Sequence, residues 1–175
     1  MRTRIYLCLL AVSVALGAVA AADAGEQAKR DGTLAVRSGR GTVVLLGLQG
    51  SVIGRIDRGR VTIEDPDPLS GAGPIVRGWD WIKARGTSVT YGGKDVRFRI
   101  LGGRFTVRIE NAVGVDLSIV GQGRVMLKGA GYEELGLSNG EYSLNDSAFL
   151  PVPDYSMWLS LKAPPKQPPP RASRP

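Results

Sequence analysis

Val96-Arg97-Phe98-Arg99-Ile100, Leu101-Gly102-Gly103-Arg104 and Phe105-Thr106-Val107-Arg108-Ile109 follow one another without a break, apolar and polar side chains alternating on both sides of a glycine pair. Alternation at a period of two marks a strand with one buried face. Paired glycines adopt the positive backbone dihedrals of tight turns, so the stretch predicts a β-hairpin. Phe98, Ile100, Phe105, Val107 and Ile109 are expected to face a core, and Arg97, Arg99, Arg104 and Arg108 to face water.

Working outward, residues 30–65 fall onto 94–129 without a gap when the chain is shifted by 64 positions. Identities include Asp31/Asp95, Gly39/Gly103, Arg40/Arg104, Val43/Val107, Gly50/Gly114, Gly59/Gly123 and Val61/Val125, while Leu34/Phe98, Val36/Ile100 and Leu45/Ile109 stay apolar. Turn glycines and alternate hydrophobics persist, which speaks for architecture. The first copy accordingly repeats the hairpin plan, with Leu34 to Arg37, a turn at Ser38-Gly39-Arg40-Gly41, Thr42 to Leu46, and further turns at Gln49-Gly50 and Asp57-Arg58-Gly59. These features predict an all-β domain, an internally duplicated antiparallel β-sandwich or barrel. A shorter spacing of 18, seen from Val43 to Val61 and from Val107 to Val125, leaves a β-solenoid as the alternative. Asp65-Pro66-Asp67-Pro68 opens a turn-rich connection between the copies, and Glu141 to Leu144 with Met157 to Leu161 are candidate closing strands.

The ends differ from the body. Arg2 and Arg4, an apolar run from Ile5 to Ala20 and small-residue sites near Ala20 and Ala24 predict a signal peptide over 1–24, hence a secreted or extracytoplasmic protein, with the cell envelope as its candidate location, that does not span the membrane. Residues 25–161 form a single domain and 162–175 a disordered, proline-rich basic tail. The formal net charge of +7 sits mostly outside that domain: Arg2 and Arg4 against Asp23 contribute +1, and Lys162, Lys166, Arg171 and Arg174 +4, which leaves +2. A near-neutral body without a recognition module argues against nucleic acid as a partner. The basic tail suits an acidic cell-wall polymer or another anionic envelope component.

The single cysteine, Cys8, lies in the signal and the chain has no histidine. Ser-His-Asp and Cys-His catalysis and the common zinc, copper and haem ligations are therefore excluded, and no cofactor or metal is expected. Glu64-Asp65-Pro66-Asp67 completes no known calcium loop, and Asx-Pro turn chemistry accounts for it. Two groups remain as ligand-binding candidates. Trp79 and Trp81 project to one side of an extended segment; in a domain with few aromatics they are expected at the core or its rim, whereas exposed beside Tyr91 they would offer a platform for sugar rings. Arg97, Arg99 and Arg108 share the polar face of the opening stretch, suited to phosphate or carboxylate groups or simply to a solvated, aggregation-resistant surface.

Gly93-Lys94-Asp95-Val96-Arg97-Phe98-Arg99, Gly102-Gly103-Arg104-Phe105 and Gly121-Gln122-Gly123-Arg124-Val125 resemble a group of exported all-β proteins of high-GC bacteria with no assigned activity. The resemblance covers most of 30–145 and implies secretion and an all-β domain, with no catalytic residues to carry over. The expected function is a non-enzymatic binding or structural module of the cell envelope. The alternative is a cofactor-free hydrolase of envelope glycans using carboxylates around Glu64, Asp65 and Asp67.

Overall fold

A computed structural model of the chain describes residues 30–67, 73–131 and 135–163. The expected signal segment, Glu133, Glu134 and nearly all of the tail lie outside these residues. The elements are β1 (Gly32–Glu64), β2 (Ile75–Arg77), β3 (Trp81–Arg85), β4 (Ser88–Gly129), β5 (Glu141–Leu144), β6 (Leu150–Pro151) and β7 (Met157–Leu161), with no helix among them. All pairings are antiparallel, on a path β2-β4-β1-β5-β6 with β3 and β7 also joined to β4. The path is not closed on itself, which removes the expected barrel.

β1 and β4 are long ribbons that turn corners without losing extended geometry. Many β1 positions therefore have a β4 partner on each side: Val43 meets Ile109 and Leu127, Ile53 meets Arg99 and Ser118, and Val61 meets Tyr91 and Ile109. The pairings sort the ribbons into two rows of legs. One row runs 141–144, 32–36, 117–121, 51–55, 97–101, 75–77, and the other 157–161, 123–127, 41–46, 105–109, 60–64, 88–92, 81–85. Within each ribbon the chain passes from one row to the other at every corner. Alternate side chains of both rows meet in one core, with Leu34, Val52, Phe98 and Ile119 from the first and Leu45, Val61, Val107, Ile109 and Leu127 from the second. Gly54 faces this core, and a Cβ there would overlap the Phe98 ring and Leu117 Cδ2. The missing side chain is what seats Phe98.

The predicted hairpins are not formed. Residues 96–101 pair with 51–56 and with β2, whereas 105–109 pair with 43–48 and 61–64, and no pairing occurs within β1 or within β4. Gly102 and Gly103, at φ 76° and 90°, make a corner between rows instead of a turn between neighbours. The same backbone freedom serves both purposes. Each strand keeps its predicted buried face because each row has only one inner side.

One antiparallel register joins Val43–Leu127 and Leu45–Val125 at one end of a ladder to Val61–Ile109 and Ile63–Val107 at the other. Positive φ occurs at Ser38 and Gly102, at Gly47 and Asn111, and at Gly50 and Gly114, three pairs of positions 64 residues apart.

Candidate functional site

The outward face of the first row carries two cross-strand lines of side chains. Arg77 pairs with Arg97, Arg97 with Arg55, and Arg55 with Asp116. Alongside, Ile75 pairs with Arg99, Arg99 with Ile53, Ile53 with Ser118, and Ser118 with Ala35. Neighbouring strands are about 4.8 Å apart, so each line is a closely spaced ladder. Small residues, Ala35 and Ser118, occupy one end, and longer ones stand at the other. The result is an open groove of about 1100 Å³ lined by these residues with Arg37 and Ser38.

Carboxylates neutralise part of this face. Asp95 accepts from Arg55 Nε at 2.8 Å and from Arg97 Nη2 at 2.9 Å, and Arg55 Nη2 also lies 2.9 Å from Asp57. The hydrogen bond from Arg97, supported by Arg55, holds the Asp95 carboxyl below the usual carboxylate range. Asp116 accepts the backbone N–H of Ser38 at 2.9 Å, and Arg37 stacks over Phe149 at 4.0 Å. Arg77 and Arg99 have no carboxylate partner among the described residues.

Of the three arginines expected to act together, Arg97 and Arg99 line the groove. Arg108 does not: it pairs with Val44 and Thr62 on the outward face of the second row. The corner at 102–103 reverses which way outward points, so the two arms of the opening stretch look away from each other. Arg55, Arg77, Ile53, Ile75 and Asp95 belong to the site although the sequence did not single them out. Ile75-Val76-Arg77 shows no alternation of apolar and polar residues, and its two β-branched residues were the available signal for β2.

Core packing of the tryptophans is not observed. Trp79, in the bend between β2 and β3, is 45% exposed, and Trp81, on the edge strand β3, is 48% exposed. Trp81 lies over Gly92, where a Cβ would overlap the indole. Tyr91 is the next residue and so faces the other way; it packs against the core, and burial raises its hydroxyl pKa. Trp81 and Tyr91 therefore share no surface.

Glu64, at the end of β1, is exposed. Asp65 accepts the backbone N–H of Asp67 at 3.0 Å, an Asx-type turn. Asp65 and Asp67 border a depression of about 210 Å³ with Arg104 and Phe105, and no further carboxylate lines it among the described residues. Nor does any group of three or more His, Cys, Asp or Glu side chains there have metal-binding geometry. No helix among the described residues is long and apolar enough to cross a membrane. Comparison with known proteins finds no matching family model, no matching curated protein and no matching solved structure.

Proposed function

We propose that the chain is an exported, non-enzymatic binding module of the bacterial cell envelope, and that the groove on the first row is its binding surface. The carrying observation is the pair Arg77 and Arg99, two guanidinium groups without carboxylate partners at the edge of a concave face whose other acids are already engaged. Guanidinium groups set on a rigid sheet suit bidentate recognition of phosphate or carboxylate.

The fold is read as a duplicated β-sandwich wound from one long hairpin in the manner of a jelly roll. The sequence identities and the positive-φ positions that recur at 64 residues support the duplication, and antiparallel pairing throughout favours a wound hairpin over stacked solenoid coils. The copies differ where the groove lies. Arg97 and Arg99 stand on one arm of the first row, and Thr33 and Ala35 occupy the matching places on the other. An arginine pair on one arm only is expected of a binding site added to a duplicated scaffold.

Retention of the purified protein on peptidoglycan, teichoic-type polymer and anionic vesicles tests this reading. Replacing Arg77 and Arg99 together by alanine is expected to weaken retention about tenfold or more, the scale of charge-assisted hydrogen bonds. A variant lacking 163–175 separates the tail from the groove. Unchanged retention of the double variant, with loss on removing the tail, would move the binding function out of the folded domain.

A further inference from the structure

The groove is not only cationic. Ser51 stands between Leu101 and Val120 on adjacent strands, and two residues further along Ile53 stands beside Arg99, with Ile75 beyond. Outward-pointing Ile53, Ile75, Leu101 and Val120 are 56%, 52%, 49% and 46% exposed. Scattered exposed hydrophobics need no explanation, but neighbouring ones on one sheet face mark a surface that something covers. Here the apolar field adjoins the line Arg77, Arg97, Arg55, and Arg99 stands between Ile75 and Ile53.

That juxtaposition selects among occupants. A fully polar polyanion would pair the arginines and leave the four apolar side chains in water. A neutral apolar chain would cover those side chains and crowd Arg77 and Arg99 without supplying an anion to either. An anionic amphiphile satisfies both halves. Two unpaired guanidinium groups also match the charge of a phosphate monoester, about −1.5 to −2 at neutral pH, better than that of a single carboxylate.

Resting on the reading of this face as the binding surface, we infer that the groove takes one phosphate-headed amphiphile, its head on Arg77 and Arg99 and its hydrocarbon chain across Ile53 and Ile75 toward Leu101 and Val120. The apolar field from Leu101 across Ser51 to Val120 spans about 10 Å, two strand spacings. A chain of moderate length covers it: the groove of about 1100 Å³ takes the head and the part of the chain over Ile53 and Ile75, and the end of the chain passes beyond the groove lining onto the adjoining Leu101 and Val120.

Calorimetric titration with dodecyl phosphate below its micelle concentration tests the assignment, with inorganic phosphate, dodecyl maltoside and phosphatidylglycerol vesicles as the other arms. Dodecyl phosphate is expected to bind about tenfold or more tightly than either inorganic phosphate or dodecyl maltoside, because each of those makes only half of the contacts. R99A is expected to weaken it about tenfold. I53S is expected to weaken dodecyl phosphate while leaving the response to inorganic phosphate unchanged. Both positions are exposed, and unaltered thermal midpoints will show that the fold is intact.

Equal affinity for inorganic phosphate overturns the inference in favour of a bare anion site. Equal affinity for dodecyl maltoside overturns it in favour of a simple apolar surface, and binding to vesicles alone in favour of membrane docking. If dodecyl phosphate does not bind while envelope retention still depends on Arg77 and Arg99, the inference fails and the binding-module reading stands.

Discussion

Asp95 holds Arg55 and Arg97 while its own backbone sits at φ 58°, a left-handed conformation that Asp and Asn tolerate better than most residues. Asp95→Asn therefore removes the charge without straining the chain. The Asp95 carboxyl is held low in the folded protein, so its stabilising contribution is present above the unfolded pKa and disappears as pH falls through the folded one. Wild type is expected to exceed D95N in stability at neutral pH, and the gap should close as pH falls below the ordinary Asp value of about 3.9 and through the lower folded one. Being solvent-exposed, it should also shrink in salt. Urea unfolding at several pH values is the check; a gap that survives undiminished in acid would show that the carboxylate charge is not its source. Releasing Arg55 and Arg97 from Asp95 also raises the positive charge of the groove, so D95N should retain anionic envelope material at least as well as wild type.

Strands and buried faces were legible because alternation is local: Val96 to Ile100 and Phe105 to Ile109 bury the side chains that their pattern marks. Which strand lies beside which was not legible. A glycine pair at positive φ makes a hairpin or a corner with equal ease, and the choice is set by partners far along the chain. Ile109 illustrates the consequence, since it is paired with Val43 on one side and Val61 on the other and is fully buried. Ile109→Ala is expected to cost about 2–5 kcal/mol, the range for large-to-small core substitutions. Val120→Ala, on the outward face of its leg, should change stability by less than about 0.5 kcal/mol. Denaturant midpoints of the two variants check the difference, and similar losses would mean that the inner and outer faces of the rows are misassigned. The groove was half legible for the same reason: Arg97 and Arg99 lie on one leg and were read together, whereas Arg55 and Arg77 reach them only through the pairing of three strands.

At the scale of the molecule, interleaving sets what can fold alone. Legs from 32–64 and 88–129 alternate across most of each row, and neither ribbon pairs with itself. A ribbon removed from its counterpart loses the hydrogen-bond partners of nearly every leg, together with half of the common core. Exposed strand edges then favour aggregation over folding. Chains comprising 25–67 and 73–163, produced separately, are thus each expected to lack a cooperative thermal transition, although β3, β5, β6 and β7 remain available to the longer one. Mixed in equal amounts, they should recover the cooperative unfolding of the intact chain, because the connection around residues 68–72 adds no ladder to the described pairings; it only raises the effective concentration of one ribbon at the other. Calorimetry and near-ultraviolet circular dichroism of each piece and of the mixture decide the matter. A cooperative transition in 25–67 alone would mean that this ribbon pairs with itself when isolated, and the hairpins read from the glycine turns would then describe the isolated ribbon even though the whole chain replaces them with corners.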